Sequence, residues 1–163
     1  MDFRRPVVTD GPAISGLIAA CPPLDPNSAY CNLLQCTDFA DSCIVAERGG
    51  AVVGWVSGYR PPVAPDTFFV WQVAVSPAAR GQRLAGRMID ALLARSAQAG
   101  VTQVTTTITD DNRVSWALFE GLARRWNAPF QKSARFEREA HFAGAHATEW
   151  QAQIGPLPLS ARP

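Results

Sequence analysis

Between Pro65 and Pro77 runs the segment Thr67-Phe68-Phe69-Val70-Trp71-Gln72-Val73-Ala74-Val75, in which only Thr67 and Gln72 are polar. An apolar run this short, entered through the stiff loop Pro61, Pro62 and Pro65, reads as a strand buried on both faces. Ser76-Pro77-Ala78-Ala79 then turns the chain. Beyond it, Leu84, Ala85, Met88, Ile89, Leu92 and Leu93 form one apolar stripe at helical spacing. Arg83, Arg87, Asp90 and Arg95 fall off that stripe, and Gly100 is a suitable terminator.

The rest of the chain follows the same alternation. A short strand ends at Val7 and Val8, and Thr9 or Asp10 can cap a helix carrying Ile14, Leu17 and Ile18. Pro22 and Pro23 stop it. Residues 24–28 read as a turn or helix start and Ala29–Cys36 as a second helix. Cys43–Glu47 and Ala51–Tyr59 flank Gly49-Gly50 as a β-hairpin. Val101–Thr109 is β-branched and reads as a strand. Asp110, Asp111 and Asn112 offer caps for a helix through Val114, Leu118 and Leu122, and Glu149–Gly155 resembles a final strand. Residues 127–147 carry no clear period beyond one short element. The order implies a single α/β (α+β) domain over residues 3–158 with a mixed sheet, and a tail at 159–163.

Composition narrows the function classes. The 163 residues carry 15 Lys plus Arg against 14 Asp plus Glu, a net charge of +1. Without a basic block, nucleic acid and anionic membranes are poor partners. The segment MDFRRPVVTDGP lacks the apolar centre of a signal peptide, and no apolar run approaches the roughly 20 residues that cross a bilayer. A cytoplasmic location is expected. Cys21, Cys31, Cys36 and Cys43 form no CxxC pair and lie far from His141 and His146, so they read as reduced thiols, with no metal site.

The loop Arg80-Gly81-Gln82-Arg83-Leu84-Ala85-Gly86 opens the striped helix. Unpaired N–H groups at a helix N-terminus bind phosphate, and Arg80, Arg83 and Arg87 add positive charge. Solvated arginines beside a glycine that merely relieves the turn explain the same residues equally well.

This string resembles the signature of the GNAT family of acetyl-coenzyme A-dependent N-acetyltransferases: Gln or Arg, two variable residues, Gly, one variable residue, then Gly or Ala. It matches at Arg80 and Ala85 and departs at the central glycine, where Arg83 stands. The resemblance implies a GNAT-like domain with a central mixed, mostly antiparallel sheet flanked by helices, acetyl-CoA as co-substrate and no metal. Backbone amides of 80–86 would grip the coenzyme's pyrophosphate, and the strand at Val73 and Val75 would pair with its pantetheine arm. Asn112-Arg113-Val114-Ser115-Trp116-Ala117-Leu118-Phe119 is similar to the family's Asn-x-x-Ser/Ala-x-x-Leu-Tyr/Phe. That likeness sets Asn112 and Phe119 beside the coenzyme; an N-cap role for Asn112 is compatible with it. Phe119 stands where many members carry a Tyr general acid. A thiol of pKa about 8.5 leaves acceptably without one.

Other segments resemble the branch of the family that acetylates L-2,4-diaminobutyrate in ectoine synthesis. They are Pro23-Leu24-Asp25-Pro26-Asn27-Ser28-Ala29-Tyr30, residues 38–43, residues 56–62 and, most specifically, residues 65–75. This implies acetyl transfer from acetyl-CoA to the 4-amino group of L-2,4-diaminobutyrate by direct attack in a ternary complex, in an enzyme that is often a homodimer. Asp25, Tyr30 and Trp71 would then bind substrate. Asp25 and Glu149 are candidates for holding or deprotonating the amines, His146 is a further catalytic candidate beside Glu149, and Arg60 is a candidate for holding the carboxylate. Asp25 before Pro26 also suits a plain turn, and Trp71 a plain core position. Another acceptor (ornithine, lysine or a polyamine) and a non-catalytic coenzyme A-binding module remain alternatives.

Overall fold

A computed structural model describes residues 1–158; the expected tail at 159–163 lies outside the described residues. In chain order the elements are β1 (Asp2–Arg4), α1 (Gly11–Ala19), α2 (Ala29–Cys36), β2 (Ile44–Arg48), β3 (Ala51–Tyr59), β4 (Thr67–Val75), α3 (Leu84–Leu93), β5 (Gln103–Ile108), α4 (Arg113–Trp126), β6 (Phe130–Phe136), α5 (Arg138–Phe142) and β7 (Glu149–Ile154). The seven strands are ordered β1-β2-β3-β4-β5-β7-β6. β4 and β5 are parallel, whereas β1–β2, β2–β3, β5–β7 and β6–β7 are antiparallel. This is the mixed, mostly antiparallel sheet with flanking helices that the sequence implies.

The chain divides into two compact units. One holds residues 1–60 and 70–99. Its core gathers Ile14, Leu17 and Ile18 of α1 with Cys36, Val45 and Trp55, all at most 8% exposed. Gly49 and Gly50, with φ of +57° and +79°, close the β2–β3 hairpin with the two left-handed residues that a type I′ turn requires. The stripe read from the sequence is the buried face of α3, with Leu84, Met88, Ile89, Leu92 and Leu93 at 4% exposure or less. α3 ends at Leu93, and a 3-10 turn over Ser96–Gln98 carries the chain on to Gly100.

The other unit holds residues 61–69 and 100–158. Within it, Thr67, Phe68 and Phe69 at the start of β4 pair with Gln103, Val104 and Thr105 of β5. Asn112 caps α4 by accepting from the Ser115 N–H at 3.1 Å. β7 pairs with both β5 and β6.

Four expectations need correction. The N-terminal strand is Asp2–Arg4; Val7 is extended and Val8 begins a 3-10 turn. Asp10 does not cap α1 with its side chain, because its carboxylate accepts from Arg4 at 2.7 and 2.8 Å and from the Val7 N–H at 2.8 Å. β4 is buried on both faces only over Thr67–Val70. Beyond that it alternates, with Trp71 48% exposed and Gln72 only 6%. Residues 127–147 hold a strand and a one-turn helix, β6 and α5, rather than a single short element.

Candidate functional site

In the first unit, the loop ahead of α3 takes an unusual backbone path. Gly81 has φ +77°, and Arg83 sits in the left-handed region at φ 53°, ψ 26° as the N-cap of α3. Arg83 thus adopts the conformation a glycine reaches without a Cβ clash, which accounts physically for a glycine in the family's motif. Its side chain is exposed and makes no capping hydrogen bond, which leaves the first-turn N–H groups of Leu84, Ala85 and Gly86 as donors. A Cβ built on Gly81 meets nothing within 4 Å, so the loop is open to an approaching group. Orphan N–H donors, a helix N-terminus and an open glycine fit an anionic pyrophosphate.

The arginines around this loop differ in their commitments. Arg80 folds back on β4, its Nε donating to the Val75 carbonyl at 3.2 Å and its Nη2 to the Cys21 sulfur at 3.8 Å. Arg87 stacks over Phe3 at 5.3 Å. Arg48 donates to the Gln82 amide oxygen at 3.1 Å. Val75 therefore has its carbonyl engaged, by Arg80 and by the Cys21 thiol at 3.4 Å. Val73 is half-buried on the same strand.

Asp25 lies in the loop between α1 and α2. Its Oδ1 accepts from the Asn27 N–H at 2.9 Å, an Asx turn, and its carboxylate stays exposed. Ser28 caps α2 through the Cys31 N–H at 3.0 Å. Tyr30, on the first turn of α2, is 70% exposed. Trp71 packs edge-on against Tyr59, with ring centroids 6.1 Å apart. Arg60, weighed for a carboxylate, donates to the carbonyls of Ala97 and Ala99 at 3.4 and 3.1 Å.

Sequence reasoning missed the polar network that fixes this loop. Gln72, beside Trp71, donates to the Asp25 carbonyl at 2.6 Å and accepts from the Asn27 amide at 3.1 Å. Asn27 also donates to Asn32, which is fully buried and donates to Ser15 at 2.9 Å. The available signal was the lone amide inside an apolar strand.

In the second unit, Glu149 opens β7 and His146 precedes it. The structure brings this pair together, with His146 Nε2 3.9 Å from Glu149 Oε1. His146 Nδ1 lies 2.8 Å from the Ala147 carbonyl. A hydrogen bond there puts the proton of the neutral ring on Nδ1 and leaves the Nε2 lone pair facing Glu149. Phe142 flanks the imidazole at 4.8 Å. Phe119 is 3% exposed on α4, and Asn112 does act as the N-cap.

The family model described as "Acetyltransferase (GNAT) family" matches residues 14–123. The chain is 49% identical to the L-2,4-diaminobutyric acid acetyltransferase of Methylotuvimicrobium alcaliphilum, covering 95% of this chain and 90% of that one. It is 47% identical to the enzyme of the same name from Vibrio cholerae, covering 97% and 91%. Among solved structures, it is similar to the diaminobutyrate acetyltransferase of Paenibacillus lautus in complex with its substrate L-2,4-diaminobutyric acid and coenzyme A. That match has a TM-score of 0.90 at 37% identity, over 95% of this chain and 94% of that one.

Proposed function

This chain belongs to the acetyltransferase (GNAT) family, and from that premise we propose that it transfers the acetyl group of acetyl-CoA to the 4-amino group of L-2,4-diaminobutyrate. The product is N4-acetyl-L-2,4-diaminobutyrate. The observation that carries this reading is the end-to-end likeness, in sequence and fold, to a diaminobutyrate acetyltransferase solved with that amino acid and coenzyme A.

Acetyl-CoA supplies an acetyl group on a thiol whose pKa of about 8.5 makes it a competent leaving group near neutral pH. Residues 80–86 hold its pyrophosphate, with Leu84, Ala85 and Gly86 donating backbone N–H groups and Arg83 adding charge. The strand at Val73 and Val75 receives the pantetheine arm. Asn112 and Phe119 line the coenzyme as the resemblance implies. Because Phe119 has no hydroxyl, it cannot protonate the departing thiolate.

The acceptor amine is mostly protonated at neutral pH, as a lysine-like pKa of about 10.4 dictates, and must lose a proton to attack. Asp25 holds an ammonium, with Tyr30 and Trp71 against the carbon skeleton. His146 Nε2 accepts the proton, and the half-buried Glu149 carboxylate 3.9 Å away stabilises the imidazolium that results. We read residues 3–158 as the transferase domain, acting as a cytoplasmic homodimer in ectoine synthesis and osmotic defence.

The test is to supply acetyl-CoA and L-2,4-diaminobutyrate, follow free thiol and identify the product by NMR. Thiol release with acetylation at the 4-amino group is expected. Turnover of other amines alone would discard the acceptor. Coenzyme binding without any turnover would favour a silent module.

A further inference from the structure

We propose that Gln72 is a positioning residue for acceptor binding: its amide, buried in β4 and bonded to both Asp25 and Asn27, sets where the Asp25 carboxylate stands. This rests on the reading of Asp25 as an acceptor-binding residue.

Gln72 is 6% exposed in a strand otherwise built of apolar residues and Thr67. A buried amide is unfavourable there unless both its ends are paired, and here both are. Nε2 donates to the Asp25 carbonyl at 2.6 Å, and Oε1 accepts from Asn27 Nδ2 at 3.1 Å. Asn27 occupies the left-handed region at φ 58°, a conformation asparagine tolerates better than most residues. From there its backbone N–H reaches Asp25 Oδ1 at 2.9 Å, and its side-chain amide also reaches Asn32 Oδ1 at 3.3 Å. Asn32, fully buried, donates to Ser15 on α1 and to the Pro26 carbonyl at 3.4 Å.

Asp25 is therefore held twice, at its own carbonyl by Gln72 and at its carboxylate by Asn27, while the carboxylate remains open to solvent. Gln72 turns inward to the Asp25 loop, whereas its strand neighbour Trp71 stays half exposed. The amide reaches across 47 residues of sequence to the loop that bears the acid.

A double-mutant cycle over Gln72→Leu and Asp25→Asn tests this, reading KM for L-2,4-diaminobutyrate, KM for acetyl-CoA and kcat separately. Loss of one buried neutral hydrogen-bond pair should raise the diaminobutyrate KM of Q72L roughly tenfold. The acetyl-CoA KM should stay within about twofold. Because Gln72 acts through Asp25, D25N/Q72L should be no worse than D25N. If Q72L does not fold, Asn27→Gly replaces it: glycine suits that backbone, the bridging amide is lost, and the same non-additivity is expected. Effects of Q72L or N27G that multiply with D25N, or that raise both KM values alike, would overturn the inference alone. An unchanged diaminobutyrate KM in D25N would remove the Asp25 reading and this inference together. A wild-type enzyme that turns over other amines but not diaminobutyrate would discard the substrate and, with it, this role.

Discussion

Arg83 offers the sharpest quantitative test, because the family's motif and the structure's backbone meet in one residue. A left-handed conformation disfavours an L-residue by roughly 1–2 kcal/mol through the Cβ–carbonyl clash. Glycine avoids that clash but loses about 0.5–1 kcal/mol to the greater freedom of its unfolded chain. With φ at 53° and ψ at 26°, Arg83 carries the full disfavoured geometry. Arg83→Gly should therefore gain about 0.5–1 kcal/mol over Arg83→Ala. The two variants lose the same exposed guanidinium, so the difference isolates the backbone. At roughly 2–4 °C per kcal/mol for a chain of this length, the expected gap in Tm is about 1–4 °C. Urea and thermal unfolding without coenzyme would measure it. R83G no more stable than R83A would refute the backbone argument, and with it the account of why a glycine suits this position.

Other consequences are open to direct measurement. Asp10 is held below the usual carboxylate range, chiefly by hydrogen bonds from Arg4 and with help from the Val7 N–H. A depressed carboxyl stabilises the fold above the unfolded value near 3.9, and the benefit disappears as pH falls through the folded value. Asp10→Asn should accordingly cost about 1–3 kcal/mol at pH 7, with the gap to wild type closing below pH ~4 in urea titrations. Burial pushes the Cys36 thiol up to about 11 and the Cys43 thiol up to about 12. With thiolate so scarce, both should react with a disulfide reagent at pH 8 only after unfolding; rapid labelling of the native protein at either site would contradict their burial. Asn112→Ala should lose the α4 cap and about 1 kcal/mol of stability, whereas Asn112→Asp keeps the cap acceptor. A raised acetyl-CoA KM in N112D at unchanged stability would assign the side-chain amide to the coenzyme; an unchanged KM would leave Asn112 as a cap alone.

Much of the fold was readable because its signals are local. The stripe of α3 follows from a 3.6-residue period, and the hairpin from two consecutive glycines between β-branched runs. β6 carries no such signal, since four consecutive residues, Gln131–Ala134, are exposed and it is a strand only because β7 lies alongside. The loop of residues 80–86 and the acceptor strings were legible as residue types at a fixed spacing, whereas the roles of individual arginines were not. Arg80 and Arg83 look alike in the chain. Only the folded chain turns one inward to Val75 and places the other on a left-handed cap.

What the sequence determined by itself was the family, the order of elements and the chemistry on offer, because these rest on short-range pattern and on side-chain identity. The tertiary structure decided which groups are committed. It exposed one face of β4 at Trp71 and tied Gln72 to a loop 47 residues away. Each outcome depends on partners distant in sequence, or on the balance between desolvating a polar group and pairing it. That balance is settled only when the whole chain has packed.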